Sequence, residues 1–165
     1  MPNKNSSIPS AQVSRRDFIK TAGLAAAAFT IVPRFVLGGN NFLAPSDTLY
    51  IAGIGVGGKG ASDLTGFAGS IDGKTKGNPK AKISFLCDID DRQTIESRRN
   101  FPAAKSYKDF RVMLDKEAKN IDAVSVSTAD HTHAVAAMAA MQRGKHVYVQ
   151  KPLTHDIYEA RMLTE

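Results

Sequence analysis

From residue 48 to its end, the chain alternates short apolar runs typical of strands with longer stretches typical of helices. No other feature restricts the fold as strongly, because strands separated by helices pair in parallel and are covered on both faces of their sheet. The predicted strands lie at about 48–54, 83–88, 122–127 and 145–149, with a short additional strand near 104–107. The predicted helices lie at about 58–68, 91–99, 108–118, 131–142 and from 155 onward. The pattern predicts an α/β fold with a doubly wound parallel sheet.

The composition of individual segments agrees with this architecture. The runs at 83–87 and 123–126 are almost continuously apolar, which is typical of strands that helices cover on both sides. The stretch 72–80 is rich in glycine, lysine, asparagine and proline, which predicts an exposed loop inserted before the second strand. Neither glycine nor proline follows Met162 and Leu163, so the last predicted helix has no stop signal. The chain is therefore expected to stop within a helix.

The first 38 residues have the order of a targeting segment. Residues 14–20 read Ser-Arg-Arg-Asp-Phe-Ile-Lys and precede a mildly apolar, alanine-rich run at 21–32 and then Pro33. A basic region, a short apolar region and a helix breaker predict a signal peptide over 1–38, and the paired Arg15 and Arg16 resemble the twin-arginine export signal of bacteria. We therefore expect the twin-arginine export machinery as a partner and a periplasmic or otherwise exported protein.

The same leader argues against a stable membrane anchor. Its apolar run has twelve residues, whereas a helix needs about 20 to cross a bilayer. No cysteine lies in the leader, which excludes a lipoprotein anchor. Cleavage is expected near 36–38, followed by a linker at 39–47 and a folded domain at 48–165.

The distribution of charge removes the main argument for a nucleic-acid partner. The formal net charge of the chain is +6, but residues 1–38 hold five basic residues against one acidic residue. Only +2 is left for the rest of the chain. Since a basic surface on the folded part is what would attract nucleic acid, no nucleic-acid binding is expected.

A glycine-rich sequence stands where the first strand passes into the first helix. Gly55, Gly57 and Gly60 form a G-x-G-x-x-G motif directly after the apolar run at 49–54. In a dinucleotide-binding Rossmann domain these glycines permit a tight turn, the approach of a pyrophosphate and close helix packing, and the helix amino terminus faces the phosphates. A second register, beginning at Gly53, also fits the motif but would place the turn inside the apolar run. Glycines that only build the turn are the structural alternative.

An acidic residue ends the second predicted strand. Asp88 lies 28 residues beyond Gly60, further than the usual spacing of about 20, and the inserted loop accounts for the difference. A carboxylate at this position accepts hydrogen bonds from the ribose hydroxyls of the adenosine and repels a 2′-phosphate, which favours NAD. Arg92 lies close enough to accommodate that phosphate, so NADP stays open.

The single cysteine and the two neighbouring histidines could suggest a disulfide or a metal site, but neither is predicted. Cys87 is the only cysteine, so no disulfide forms within the chain, and its apolar neighbours predict a buried strand residue. His131 and His133 have the spacing of two metal ligands, but no nearby cysteine or glutamate completes a ligand set. No metal site is predicted.

Four segments after residue 48 carry a resemblance to a known family. They are the glycine motif at 55–60, Cys-Asp-Ile-Asp at 87–90, Ile-Asp-Ala-Val at 121–124 leading to Thr-Ala-Asp-His-Thr-His at 128–133, and Gly-Lys-His-Val-Tyr-Val-Gln-Lys-Pro at 144–152. Together they resemble the Gfo/Idh/MocA family of oxidoreductases, and the most specific match is the last, where the family has G-K-H-V-x-x-E-K-P. Gln150 therefore replaces a glutamate, which should leave the neighbouring lysine easier to deprotonate.

The resemblance implies a role for each matching residue. Lys151 would be the catalytic residue at the nicotinamide and the reacting carbon of the substrate, and Pro152 would follow it in a cis peptide bond. Thr128 and Asp130 would lie near the cofactor at the end of the fourth strand, and His133 would begin the helix that flanks it. The cofactor-binding residues expected from motif and resemblance together are Gly55, Gly57, Gly58, Lys59, Gly60, Asp88, Thr128, Asp130, His133, Lys151 and Pro152.

The resemblance also implies a second domain and an activity. Family members carry a second α/β domain that binds the substrate, and this domain is expected to be absent here, so that the chain supplies nucleotide binding and is inactive alone. The expected activity is an NAD(P)-dependent oxidation of a sugar or polyol. Two alternatives remain: a glycoside hydrolase that oxidises its substrate transiently, as in the NAD-dependent α-N-acetylgalactosaminidases, and a non-catalytic dinucleotide-binding module. A homo-oligomer formed through the second domain stays open.

Overall fold

The computed structural model of the chain describes residues 43–69 and 77–165. The predicted leader, its cleavage region and residues 39–42 of the predicted linker lie outside the described residues. So do residues 72–76, the first part of the predicted loop at 72–80. Leu43–Glu165 forms one compact unit, whose start lies inside the stretch 39–47 that the sequence predicts as a linker.

Strands and helices alternate through this unit as predicted. The strands are β1 (Leu49–Ile54), β2 (Ala81–Cys87), β3 (Lys105–Tyr107), β4 (Ala123–Val126) and β5 (His146–Val149). The α-helices are α1 (Lys59–Ala68), α2 (Thr94–Asn100), α3 (Phe110–Glu117), α4 (His133–Met141) and α5 (Ile157–Met162). Short 3-10 helices are formed by Pro45–Asp47, Ala118–Asn120 and Asp130–Thr132. None of the helices in this described part of the chain has the length and apolarity that a bilayer crossing requires.

The five strands form one sheet in the order β3-β2-β1-β4-β5. Every pairing between neighbours is parallel. This order places β1 at the centre of the sheet. The chain adds β2 and β3 on one side of β1 and then crosses over to add β4 and β5 on the other side. The predicted doubly wound parallel sheet is therefore confirmed, and the junction beside β1 is where ligands bind in folds of this kind.

Apolar side chains cover both faces of the sheet. On one face α3 and α4 pack against the strands through Met113, Leu114, Ala136 and Ala140. On the other face α1 contributes Leu64, which packs with Val56, Ile83 and Leu86. Cys87 belongs to the first of these clusters and is 2% exposed, as the sequence predicts. Burial raises the pKa of its thiol to about 12, so the thiol stays protonated and is not a nucleophile.

Side-chain caps decide where several helices begin. Asp109 accepts a hydrogen bond from the backbone N–H of Arg111 at 2.9 Å, which starts α3 at Phe110. Before α2, the Asp90 carboxylate accepts from the N–H of Arg92 at 2.9 Å and holds a turn, so the helix begins at Thr94. The predicted starts at 108 and 91 are therefore early: α3 begins after its aspartate cap, and α2 begins after the turn that Asp90 holds.

The last helix ends earlier than the sequence predicts. Asp156 caps α5 by accepting from the N–H of Glu159 at 2.8 Å, and α5 ends at Met162. The N–H of Thr164 then bonds to the carbonyl of Arg161 at 3.0 Å, which closes a turn after the helix. The helix predicted from 155 onward therefore spans Ile157–Met162 and ends three residues before Glu165.

Candidate functional site

The carboxyl ends of β1, β2 and β4 surround a cleft of about 540 Å³. This volume lies in the usual range for small-molecule sites. Five of the predicted cofactor-binding residues line it: Gly55, Gly57, Gly58, Asp88 and Thr128. Cys87, Gln93, Lys108 and Phe110 also contribute to its walls. A larger and more open depression of about 900 Å³ lies beside the amino-terminal ends of the strands and has none of the predicted residues in its wall.

The turn after β1 requires glycine at two positions. Gly55 has a φ of +76°, and a Cβ there would lie 2.6 Å from the carbonyl oxygen of Ser127. A Cβ on Gly60 would lie 1.9 Å from the carbonyl oxygen of Gly55, so α1 packs directly onto the turn. Gly53 lies inside β1, which supports the register that begins at Gly55.

The start of α1 presents backbone N–H groups at the edge of this turn. Gly58 is the N-cap residue and offers no side-chain cap, and the first amides of a helix have no partner within it. They are also the positive end of the helix dipole, which attracts anions. Gly57 leaves no space for a side chain, since a Cβ there would lie 2.6 Å from the Cβ of Gln93. The arrangement suits a phosphate group.

Asp88 joins the glycine turn to the segment that follows β2. Its Oδ2 accepts a hydrogen bond from the N–H of Val56 at 3.0 Å, and its Oδ1 accepts from the N–H of Asp90 at 3.0 Å. The carbonyl of Val56 in turn accepts from the buried hydroxyl of Ser97 at 2.6 Å. Each carboxylate oxygen can accept a second hydrogen bond, so Asp88 keeps the capacity to receive ribose hydroxyls.

Arg92, which the sequence offers as a partner for a 2′-phosphate, is engaged by Asp90. The guanidinium donates to both oxygens of that carboxylate, from Nε to Oδ1 at 3.0 Å and from Nη2 to Oδ2 at 2.8 Å. These hydrogen bonds hold the pKa of Asp90 below its ordinary value and raise the pKa of Arg92. A bidentate pair has to open before Arg92 can bind another anion.

His133 connects the end of β4 to the segment that follows β5. The imidazole is 1% exposed, with Nδ1 2.6 Å from the carbonyl oxygen of Pro152 and Nε2 3.0 Å from that of Thr128. Both ring nitrogens therefore face backbone carbonyls. Across residues 43–69 and 77–165 there is no group of three or more histidine, cysteine, aspartate or glutamate side chains that could hold a metal ion.

Lys151 is exposed at the carboxyl edge of the sheet, two residues after β5. The peptide bond between Lys151 and Pro152 is cis, as the resemblance implies. Within the described residues, six predicted site residues do not line the cleft itself: Lys59, Gly60, Asp130, His133, Lys151 and Pro152. The structure therefore gathers the predicted residues at one edge of the sheet but places about half of them around the cleft rather than in its wall.

Asp63 is a site residue that the sequence interpretation missed. It lies on α1, is 8% exposed, and accepts from the hydroxyl of Ser127 at 2.9 Å, the side-chain amide of Gln150 at 2.8 Å and the ammonium of Lys59. Burial opposes its charged form, but hydrogen bonds from these three groups outweigh burial and lower its pKa. The available signal was a carboxylate beside the buried Leu64, on the inner face of the helix.

Comparison with known families gives two matches along the chain. A family model described as an oxidoreductase family with an NAD-binding Rossmann fold, Gfo/Idh/MocA, matches residues 51–165, which is more than half of the chain. A second model, for the signal sequence of the twin-arginine translocation pathway, matches residues 12–31. The second match confirms the predicted export signal.

Individual proteins agree with the family match. A glycosyl hydrolase family 109 protein of Shewanella pealeana is 27% identical over 93% of this chain and 37% of its own length. The crystal structure of myo-inositol 2-dehydrogenase from Lactobacillus plantarum is 25% identical with a TM-score of 0.60, and covers 71% of this chain and 32% of that one. The myo-inositol dehydrogenase of Lactobacillus casei, crystallised with NAD(H) and myo-inositol, has the same TM-score and coverage at 24% identity. The chain thus spans about a third of the length of these proteins.

Proposed function

Because the chain belongs to the Gfo/Idh/MocA oxidoreductase family and has its NAD-binding Rossmann fold, we propose that the protein oxidises a sugar or polyol with NAD. This chain would supply the nucleotide site. The observation that carries the proposal is the cleft at the carboxyl edge of the sheet, where a glycine turn, a helix amino terminus and Asp88 meet. These are the groups that a dinucleotide requires in this fold.

The residues present fit NAD. The backbone N–H groups of Gly57, Gly58 and Lys59, where the glycine turn leads into α1, would hold the pyrophosphate, because no side chain caps the start of this helix. Asp88 would hold the adenosine ribose through its remaining acceptor positions. Thr128, whose hydroxyl accepts from that of Thr132 at 2.7 Å, lines the opposite wall of the cleft. Asp130 would lie beyond it at the same edge.

Lys151 is proposed as the acid–base residue. NAD, when bound, accepts a hydride from a carbon that bears a hydroxyl group. As that hydride leaves, the neutral amine of Lys151 would take up the proton of the hydroxyl group, and the ammonium so formed would stabilise the negative charge that develops on the oxygen. His133 holds the carbonyl of Pro152, so the segment that carries the lysine is anchored immediately after it.

A cyclic polyol or sugar is the proposed substrate class. The support is the likeness to an inositol dehydrogenase from Lactobacillus plantarum at 25% identity. The hydroxyl-bearing carbons of such a ring are alike, so the choice among them depends on groups that hold the ring. We propose that a second domain, as in the family, supplies these groups.

A glycoside hydrolase that uses NAD is the second candidate. It is favoured by the curated relatives, since proteins of glycosyl hydrolase family 109 from Shewanella pealeana and Solibacter usitatus are 27% and 29% identical to this chain. Such an enzyme would oxidise a sugar, release its substituent and then return the hydride. It would therefore consume no net NAD.

One experiment distinguishes these functions. The full-length protein, including the proposed second domain, is incubated with NAD and a panel of inositols, free sugars and glycosides, and both NADH fluorescence and released substituents are measured. Accumulation of NADH identifies an oxidoreductase, and release of the substituent without net NADH identifies a hydrolase. If NAD binds but neither signal develops with any compound, the non-catalytic binding module is the correct alternative.

We predict that export depends on the paired arginines. Replacing Arg15 and Arg16 together by lysine should leave precursor in the cytoplasm, because the translocation machinery recognises the guanidinium pair and not charge alone. Cell fractionation and immunoblotting measure the distribution. Arg34→Lys is the control, since this leader arginine lies outside the pair, and continued export of the double variant would refute the dependence.

We predict that NAD binds more tightly than NADP. Asp88 repels a 2′-phosphate, and Arg92 is paired with Asp90 at 2.8 Å. Calorimetric titration should therefore give a lower dissociation constant for NAD than for NADP, and Asp88→Ala should reduce the difference between the two constants. Asp115→Ala is the control, because this exposed carboxylate on α3 is not part of the cleft. Tighter binding of NADP by the unchanged chain would show the prediction to be wrong.

A further inference from the structure

The carboxylate of Asp63 joins three segments of the chain that meet beside the cleft. It belongs to α1, accepts from Ser127 directly after β4 at 2.9 Å and accepts from Gln150 directly after β5 at 2.8 Å. Its side chain is only 6% exposed. Burying a carboxylate is costly unless its oxygens are hydrogen-bonded, and here donors from both neighbouring strand ends supply these bonds.

The identity of residue 150 follows from this contact. The Nε2 of Gln150 donates to Asp63 and also to the hydroxyl of Tyr148 at 3.1 Å. A glutamate at this position has no hydrogen to donate when ionised, and its carboxylate would face that of Asp63 at hydrogen-bond distance. Two carboxylates so close cannot both be ionised without a large cost. The amide at 150 is therefore matched to the acid at 63.

Lys151 lies between two residues that are each held by hydrogen bonds. The residue before it, Gln150, is held by Asp63 through its side chain and by the carbonyl of Val126 through its backbone N–H at 2.9 Å. The residue after it, Pro152, is held by His133 at 2.6 Å. Fixing the backbone on both sides restricts the directions that the lysine side chain can take.

We propose that Asp63 is a positioning residue, which fixes Gln150 and thereby holds Lys151 at the nicotinamide end of bound NAD. The inference rests on the proposed role of Lys151. Lys59, the third donor to Asp63, is on the same helix, so its ion pair links the start of α1 to the same anchor. Asp63 remains ionised at neutral pH because the hydrogen bonds from its three donors lower its pKa.

The test measures the surroundings of Lys151 directly. The full chain is treated with an amine-reactive label, with and without saturating NAD, and the rate of labelling at Lys151 is followed by peptide mass spectrometry. In the unchanged chain NAD should slow labelling about tenfold, on the scale of couplings within one hydrogen-bond network. ADP-ribose, which lacks the nicotinamide, should slow it less. Lys145 lies before β5 and should be labelled at the same rate throughout.

Two variants separate positioning from general stability. Gln150→Glu should reduce the protection of Lys151 by NAD to less than about twofold, although titration shows that NAD still binds. The double variant Asp63→Asn with Gln150→Glu exchanges the amide and the carboxylate, so that an amide at 63 can again donate to a carboxylate at 150. This variant should restore the protection of Lys151 by NAD. Gln142→Glu makes the same substitution at an exposed position and should have no effect.

Each outcome decides the proposal. A role in stability alone would lower the melting temperature of Gln150→Glu and leave the protection of Lys151 unchanged, which would overturn the inference. If Gln150→Glu does not fold, the double variant Asp63→Asn with Gln150→Glu decides the question. If this double variant folds but NAD does not protect its Lys151 from labelling, the inference is overturned. A failure of the proposed function is distinguished by the unchanged chain, which would then not bind NAD or would show no protection of Lys151 by NAD. In that case the inference about Asp63 is overturned as well.

Discussion

Replacing Lys151 by alanine is expected to lower the turnover number by about 10²–10⁴-fold, the usual contribution of a positioned acid–base residue. The affinity for NAD should change little, because a group that acts mainly in the transition state contributes little to ground-state binding. Steady-state kinetics of the full-length protein on the sugar or polyol identified in the panel measure the first quantity, and calorimetric titration with NAD measures the second.

Lys145→Ala is the matched control for this substitution. Both lysines flank β5, but Lys145 lies before the strand and Lys151 after it, so only one is at the carboxyl edge of the sheet. The control should keep both turnover and NAD affinity. Turnover of Lys151→Ala at the level of the unchanged protein would mean that Lys151 takes no part in the reaction and that another residue is the acid–base group.

Replacing Gly60 by alanine is expected to remove NAD binding and to lower the free energy of unfolding by about 3 kcal/mol, the upper range for overpacking. The added Cβ would lie 1.9 Å from the carbonyl oxygen of Gly55, which no pair of atoms tolerates. The backbone of the turn must therefore move. The N–H of Gly55 bonds to the carbonyl of Cys87 at 2.8 Å, so the displacement also disturbs the end of β2.

Gly66 provides the control on the same helix. A Cβ at Gly66 meets no atom within 4 Å, and alanine in a helix interior is favoured over glycine by up to about 1 kcal/mol. Gly66→Ala should therefore bind NAD normally and unfold at a slightly higher denaturant concentration. Equal stability of the two variants, measured by denaturant titration, would show that α1 can shift away from the turn without cost.

The sequence predicted the order of strands and helices because each depends on a local pattern. Apolar runs marked the strands, and the parallel doubly wound sheet followed from their alternation with helices. The glycine turn was predictable for the same reason, since it joins two adjacent elements. Helix starts differed from prediction at α2 and α3, where an aspartate binds the backbone N–H two residues further on, Asp90 that of Arg92 before α2 and Asp109 that of Arg111 in α3.

The candidate site was predictable only in part. The residues that line the cleft at Gly55, Gly57 and Asp88 follow directly from motif positions. Their partners do not, because nothing in the sequence near Asp88 shows that the N–H of Val56 occupies one of its oxygens. The pairing of Arg92 with Asp90 was likewise not inferred, although only one residue separates them, because either side chain has many rotamers.

By itself, the sequence determined that this chain has an export signal and an NAD-binding Rossmann domain, since both are encoded in short contiguous patterns. Only the tertiary structure decided how the site is held together. Asp63 and Gln150 are 87 residues apart in the chain and 2.8 Å apart in the fold, and the ring of His133 reaches Pro152 across 19 residues. Such contacts depend on the packing of α1, β4 and β5 in one sheet, which no local pattern specifies.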